Sequence, residues 1–238
     1  MTLPVVMFDL DDTLFQHRES VVAGIHGHRS ALGGVLAAID ARAAAEHWNA
    51  LEEEHYHRYL TGELDYLGQR RARARGFVER HGLAIDDDAA AEAWFEDYLV
   101  HYRAAWALHA DVLPCLEALR PARFGLITNG ERAFQQAKID SVGLGAWLDD
   151  IVASGEAGIT KPDPRIFALA CERQGVAPAD AAYVGDRLHT DAIGATAAGL
   201  RGVWIDRLGA ATAAELAEAA AAGVPVIRTL HELPGILV

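Results

Sequence analysis

Short apolar runs alternate with helical patterns in the first 15 residues and again after about residue 105. The apolar runs have the length of strands in a buried parallel sheet, and turn or polar residues bound them. The predicted strands are residues 5–8 (with Leu3 ahead of them), 124–127, 151–154, 181–184, 203–205 and 226–227. The predicted helices are residues 113–119, a helix beginning at Glu131, and residues 165–174, 189–198 and 212–222. This alternation predicts an α/β fold, a doubly wound parallel sheet with helices on both faces.

Between residues 16 and 105 the strand-length runs disappear, and apolar residues recur at helical spacing. Helices are predicted at about 43–60, 66–81 and 89–106, after a helical stretch over 21–39. We therefore expect an α/β core formed by residues 1–15 and 106–238, and an all-helical insert formed by residues 16–105. Within the insert, a solvated helix face is favoured over an anion-binding surface for most of four clustered arginines: Arg70, Arg71, Arg73 and Arg75.

The overall charge argues against a nucleic-acid polymer as partner. The net charge is −13 and the isoelectric point about 5.2, whereas proteins that bind nucleic acids are usually basic. Cys115 and Cys171 lie in apolar helical patterns and are expected to be buried thiols. We find no signal-peptide pattern, and Glu215 and Glu218 interrupt the one long alanine-rich segment. We expect a cytoplasmic protein without a membrane partner, as a monomer or weak homodimer.

Polar residues follow several of the predicted strands directly. Asp9 and Asp11 come after the first strand, Thr128 and Asn129 after the second, and Asp186 after residues 181–184. Because ligands bind at the carboxyl ends of strands in parallel sheets, we expect these side chains to share one edge. Carboxylates this close repel each other unless a positive charge offsets them, and a divalent cation with oxygen ligands is the simplest choice. For Thr128 and Asn129 alone, an ordinary capped turn is as good an interpretation as a phosphate-binding turn.

Two further residues complete the pattern. Lys161 is one of only two lysines among 21 basic residues, and its ammonium could balance a carboxylate and a phosphate; a surface lysine is the alternative. Asp191 follows Asp186 by five residues. It is placed for an indirect role at a metal, for pairing with Lys161, or for capping a helix.

The stretch D-L-D-D-T at residues 9–13, followed in order by Thr128, Lys161 and G-D-R-L-H-T-D at 185–191, resembles the four motifs of the haloacid dehalogenase-like hydrolases. The helical insert after the first motif is similar to the cap of the phosphatase-type members. The resemblance implies a Mg²⁺-dependent phosphatase with a Rossmann-like core and an all-helical cap that excludes water and selects the leaving group.

The resemblance also implies a role for each matching residue. Asp9 would be the nucleophile that forms an aspartyl-phosphate, and Asp11 the general acid and base. Mg²⁺ would be held by Asp9, by the backbone carbonyl of Asp11 and by Asp186, with Asp191 next to this set. Thr128, Asn129 and Lys161 would hold the phosphoryl oxygens.

Two other activities of the superfamily fit the sequence less well, and two alternatives remain. Asp11, Asp186 and Asp191 argue against a dehalogenase, and the absence of lysine from residues 16–105 argues against a phosphonate hydrolase. A phosphomutase remains an alternative. A non-catalytic protein that binds a phosphorylated ligand is the other, although the complete set of reactive groups argues against it. The expected substrate is a small phosphorylated metabolite such as a nucleotide, a sugar phosphate or phosphoglycolate, and the sequence does not rank these.

Overall fold

The computed structural model describes residues 4–237, so the predicted position of Leu3 lies outside the described residues. The chain forms two compact units. One contains the chain up to Gln16 and from Ala107 onward, and the other is His17–Trp106. Within the described residues, all six strands belong to the first unit, and the second is helical. That these units act as catalytic core and cap stays a prediction.

The first unit is built on one parallel sheet, which confirms the predicted fold class. Its strands are β1 Val5–Phe8, β2 Arg123–Thr128, β3 Asp150–Ala153, β4 Ala181–Gly185, β5 Arg201–Ile205 and β6 Val226–Ile227. The order across the sheet is β3-β2-β1-β4-β5-β6, with every neighbouring pair parallel. The chain therefore winds outward from β1 in one direction and then from β4 in the other. Phe8 pairs with both Leu126 and Val184, so the carboxyl ends of β1, β2 and β4 lie within two residues of one another along the sheet.

Five helices of this unit correspond to predicted ones, whereas two short helices, Ser154–Ala157 and Leu233–Leu237, were not predicted. They are α6 Val112–Leu119, α7 Arg132–Ser141, α8 Ser154–Ala157, α9 Pro164–Arg173, α10 Gly194–Ala197, α11 Ala213–Ala221 and α12 Leu233–Leu237, counted after five helices of the second unit. Asp163 caps the start of α9: its side chain accepts a hydrogen bond from the Arg165 backbone N–H at 2.9 Å, and Pro164 occupies the first turn. The apolar face of α9 packs on the sheet, where Phe167 meets Tyr183 edge to face at 5.1 Å.

The second unit is a helical bundle. Its helices are α1 His17–Leu32, α2 Gly34–Ala37, α3 Ala41–Leu60, α4 Tyr66–Glu79 and α5 Asp88–Ala104. The helical stretch predicted over 21–39 is interrupted because Gly33 and Gly34 have φ angles of 73° and 57°, which end α1. Trp48 and Tyr98 are fully buried at the centre of the unit. Within residues 4–237, we find no helix with the length and apolar character needed to cross a bilayer.

The prediction that most of the four clustered arginines lie on a solvated face of α4 is wrong, since two of them, Arg70 and Arg73, are buried. The Arg73 guanidinium lies 4.6 Å from the Trp48 ring and 3.0 Å from a Glu52 carboxylate oxygen. The physical reason is that arginine buries its aliphatic stem and its planar head on aromatic rings once an acidic partner is in reach. The two predicted buried thiols, Cys115 and Cys171, are confirmed.

Candidate active site

Three carboxylates meet at the carboxyl end of the central strands. Asp9 directly follows β1, Asp186 directly follows β4, and Asp191 lies six residues beyond the end of β4. One oxygen from each lies within 4.8 Å of the others. The Asp9 backbone N–H donates to the Val184 carbonyl at 2.8 Å, which extends the β1–β4 pairing and places Asp9 beside the start of the Asp186 loop. Neighbouring parallel strands thus bring together residues that are far apart in sequence.

A wide turn carries Asp191 back toward the sheet. The predicted helix over 189–198 begins as a π-helix, Leu188–Ile193, and only then continues as α10. The Arg187 backbone N–H donates to Asp191 Oδ2 at 3.0 Å, and the Asp191 N–H donates to the Arg187 carbonyl at 2.9 Å. A Cβ on Gly185 would lie 2.4 Å from Asp191 Cβ and Cγ, so only glycine fits at the end of β4. The prediction of a continuous α-helix is therefore wrong in its first half, and the π turn is a feature common at functional sites.

Lys161 lies among these carboxylates. Its Nζ donates to Asp9 Oδ1 at 2.6 Å, to Asp191 Oδ1 at 2.8 Å and to the Tyr183 hydroxyl at 2.8 Å. The lysine is buried, so the surface-lysine alternative is wrong. Burial disfavours its ammonium, but the charges of Asp191 and Asp9 outweigh burial and raise the pKa of Lys161 above its ordinary value. Tyr183 in turn donates to the Ile127 carbonyl at 2.9 Å.

The charges of this cluster do not balance. When all three are ionised, Asp9, Asp186 and Asp191 carry three negative charges, and Lys161 carries one positive charge. Burial raises the pKa of Asp9 to about 7, helped by the charges of Asp191 and Asp11 and opposed by Lys161. Burial and the charges of Asp191, Asp9 and Asp12 raise the pKa of Asp186 well above its ordinary range, and Arg187 opposes them. An all-oxygen donor set with an excess of two negative charges fits a hard divalent cation such as Mg²⁺.

Thr128 and Asn129 connect the end of β2 to the lysine loop. Thr128 closes β2 and is buried. The Asn129 side chain binds the Lys161 backbone twice: its Oδ1 accepts from the Lys161 N–H at 2.9 Å, and its Nδ2 donates to the Lys161 carbonyl at 3.2 Å. Its amide therefore fixes the lysine loop against β2. Phosphate binding by Thr128 and by the backbone N–H groups of this turn stays a prediction.

The carboxylate of Asp11 points to a different partner. It lies outside the group formed by Asp9, Asp186 and Asp191, and Lys138 Nζ donates to its two oxygens at 2.7 and 2.9 Å. Gln135 Nε2 also donates to it, at 3.1 Å. Both donors lie on α7, and the sequence motifs include neither. The scarcity of lysine was the available signal for Lys138, because it applies to both lysines of the chain.

Known proteins resemble this chain over most of its length. The family model of the haloacid dehalogenase-like hydrolases matches residues 3–199. A phosphoserine phosphatase from Thermus thermophilus is 34% identical over 227 residues, covering 86% of this chain and 89% of that protein. A glyceraldehyde 3-phosphate phosphatase from Methanopyrus kandleri is 33% identical over 211 residues, covering 86% of this chain and 84% of that protein.

A solved structure has the same fold. The putative HAD-hydrolase YfnB from Bacillus subtilis, bound to magnesium, matches with a TM-score of 0.80 and 19% identity, covering 100% of this chain and 99% of that chain. Together with the sheet order and the carboxylate cluster, these matches place the chain in the haloacid dehalogenase-like hydrolase family. Within that family the chain is a hydrolase of the phosphatase type, as its sequence relatives are.

Proposed function

We propose that the chain is a Mg²⁺-dependent phosphatase that hydrolyses small phosphomonoesters through an aspartyl-phosphate on Asp9. The observation that supports this most directly is the buried group of Asp9, Asp186, Asp191 and Lys161, with its excess of two negative charges. Phosphoryl transfer depends on positioning and on neutralising charge, and such a group provides both once a divalent cation is bound.

Asp9 supplies the nucleophile in the proposed first step. Its Oδ1 is held by the Lys161 ammonium at 2.6 Å, so Oδ2 is the oxygen left for attack on phosphorus. Mg²⁺, bound by Asp9, Asp186 and the backbone carbonyl of Asp11, would supply charge neutralisation for the transferred group. Lys161 and the Thr128 hydroxyl would hold phosphoryl oxygens, as would the backbone N–H groups after β2.

Asp11 transfers the protons. In the first step the bond between phosphorus and the leaving oxygen breaks, and that oxygen takes both the bonding electrons and a proton from Asp11. In the second step the Asp11 carboxylate removes a proton from water as the water attacks the aspartyl-phosphate. Asp9 is then regenerated and inorganic phosphate is released.

The proposed substrates are small phosphorylated metabolites. The relatives named above act on phosphoserine and on glyceraldehyde 3-phosphate, both small phosphomonoesters. We add these two compounds to the nucleotides, sugar phosphates and phosphoglycolate expected from the sequence.

The test is phosphate release from a panel of these compounds, with Mg²⁺ and with EDTA. We expect release with Mg²⁺, loss with EDTA, and a loss of several orders of magnitude in Asp9→Asn. Asp86→Asn is the matched control, because it makes the same change at an exposed carboxylate of the helical unit. Phosphate that remains on the wild-type protein after acid quenching, and is absent from Asp9→Asn, would identify the covalent step.

Two other outcomes would contradict the proposal. Transfer of the phosphoryl group to a second position of a sugar phosphate, without release to water, would make the protein a phosphomutase. Binding of a panel compound without any turnover would make it a non-catalytic phospho-ligand protein.

A further inference from the structure

We propose that Lys138 and Gln135 of α7 are positioning residues that hold the Asp11 carboxylate at the site where it exchanges protons. This inference rests on the proposed phosphatase activity. It adds to that activity two residues that the four matched motifs do not contain.

Three hydrogen bonds fix the Asp11 carboxylate from the side of α7. Lys138 Nζ donates to Oδ1 at 2.7 Å and to Oδ2 at 2.9 Å, and Gln135 Nε2 donates to Oδ2 at 3.1 Å. Gln135 and Lys138 are three residues apart and therefore lie on one face of the helix. The helix thus presents an ammonium and an amide to the same carboxylate.

The ion pair is buried on one side and open on the other. The Lys138 side chain is 3% exposed, whereas that of Asp11 is 29% exposed. The ammonium lies 5.2 Å from the centre of the Phe15 ring and 5.3 Å from that of Phe134. Burying an ammonium is costly unless it is paired, and the Asp11 carboxylate supplies that pairing beside the two rings. The carboxylate itself remains accessible to a substrate oxygen or to water.

Gln135 connects two predicted functions of the site. The same Nε2 that donates to Asp11 lies 2.5 Å from the Thr128 hydroxyl, the predicted phosphate-binding group. Gln135 is buried, and among residues 4–237 its Oε1 accepts no hydrogen bond. The contacts of Nε2 therefore set the orientation of the amide. A phosphoryl group held at Thr128 and a proton donor held by α7 would keep a fixed separation.

Positioning of this kind should matter most when the leaving oxygen needs a proton. Without Lys138 the Asp11 carboxylate loses two of its three bonds from α7 and is held less firmly on that side. A proton donor that is not held in place contributes less to the rate. Loss of an aryl oxygen such as nitrophenolate needs little proton transfer, whereas loss of an alkyl oxygen depends on it.

The test compares two substrates of similar size, p-nitrophenyl phosphate and 2-(4-nitrophenyl)ethyl phosphate, by kcat/KM, which reports the steps up to loss of the leaving group. For Lys138→Met we expect a fall of about 10²-fold with the alkyl ester and less than about threefold with the aryl ester. Lys138→Arg should restore most of the alkyl activity. Lys138→Met should add no further loss to Asp11→Asn, because residues that act through one group are not additive.

The adjacent glutamines give a matched pair that does not disturb the buried ammonium. Gln135→Met should lower kcat/KM for the alkyl ester about tenfold. The loss is smaller than that of general acid catalysis as a whole, because Gln135 supplies one of the three bonds to Asp11. Gln136→Met should leave it unchanged, since within residues 4–237 the Gln136 side chain hydrogen-bonds to Arg132 and Asp140 and not to Asp11. If Lys138→Met does not fold, as judged by circular dichroism, this pair decides the question.

Failure of the inference is distinct from failure of the proposed function. Equal losses on the two esters would mean that Lys138 and Gln135 only support the fold of the site, and would overturn the inference. Wild-type protein with no Mg²⁺-dependent activity on either ester would overturn the proposed function, and the inference with it.

Discussion

Gly185 shows how one residue controls the carboxylate cluster. It ends β4 where the Asp191 side chain returns to the sheet, and that side chain occupies the space in which a Cβ would stand. Asp191 also accepts from Lys161 at 2.8 Å, so the glycine indirectly sets the position of the lysine. Because glycine has no side chain at this position, the Asp191 carboxylate and the Lys161 ammonium can approach each other at the end of β4.

We predict that Gly185→Ala weakens both the fold and the metal site. The added Cβ would lie 2.5 Å from Asp191 Oδ2, so the carboxylate must move away from Lys161. We expect a loss of about 1–3 kcal/mol in the free energy of unfolding, measured in urea, and weaker Mg²⁺ binding in a thermal-shift titration. Gly145→Ala is the control, because its nearest heavy atom would be 3.6 Å away. Equal behaviour of the two variants would contradict the prediction.

The sequence identified most of the residues that meet in this site, for a reason that belongs to parallel sheets. Asp9, Thr128 and Asp186 each come directly at a strand end, and strand ends share one edge of the sheet. Lys138 and Gln135 lie within a helix, where polar residues are usually solvated, and nothing in their spacing distinguishes them from a surface face. Only the folded chain shows that this face of α7 points to Asp11.

At the scale of elements, α4 shows that a helical pattern can predict the bounds of a helix without predicting which of its polar residues are buried. Its bounds were predicted within a few residues, but the buried side of its arginine cluster was not. Arginine counts as polar in a hydropathy pattern, although its aliphatic chain can be buried. A periodicity based on apolar residues therefore assigns arginine to the exposed face of a helix. A similar limit explains why the π-helix over Leu188–Ile193 was not predicted, because side-chain types do not distinguish a wider turn from an α-helical one.

We predict that two arginines of α4 differ strongly in their effect on stability. Arg73→Met breaks the ion pair with Glu52 and leaves the Glu52 carboxylate, whose side chain is 23% exposed, without that partner. We expect a loss of about 2–4 kcal/mol in unfolding free energy, below the full effect of a deeply buried pair. Arg75→Met, which removes an exposed pair with Asp88, should cost less than about 1 kcal/mol. Urea unfolding followed by circular dichroism measures both, and a neutral Arg73→Met would contradict this account of the bundle.

At the scale of the whole molecule, the order of the sheet determines where chemistry can occur. Winding outward from β1 on one side and from β4 on the other leaves the loops after these two strands diverging, which opens a crevice at their carboxyl ends. The sequence predicted the doubly wound class from its alternating pattern. It did not predict which strand is central, because that depends on long-range packing.

We predict that Mg²⁺ stabilises the protein increasingly as pH rises from about 5 to 8. The pKa of Asp9 is raised to about 7 and that of Asp186 is also raised, so the folded state binds these protons more tightly than the unfolded state does. The stability they contribute to metal-free protein is present below the unfolded pKa of about 4, and it is lost as pH rises through about 7. Mg²⁺ would replace these protons as counter-charge.

The measurement is the difference in melting temperature with and without Mg²⁺ across that pH range. At saturating metal, about 100 times the dissociation constant, we expect about 5–10 °C at the alkaline end and little at the acid end. In Asp186→Asn the metal-free melting temperature at pH 8 should rise, because one repelling carboxylate is gone, and the Mg²⁺ effect should disappear. A Mg²⁺ effect that is independent of pH would contradict the prediction.

The burial of both lysines has a consequence for chemical labelling. Lys138 and Lys161 are the only lysines in the sequence, and each side chain is 3% exposed and held by carboxylates. An acylating or reductively methylating reagent would therefore reach a lysine amine only when the local structure opens. The rate at which each ε-amine is modified would record how often its side of the site opens, one on the Asp9 side and the other on the Asp11 side. The two modification rates would therefore report separately on local opening at two positions of the candidate site.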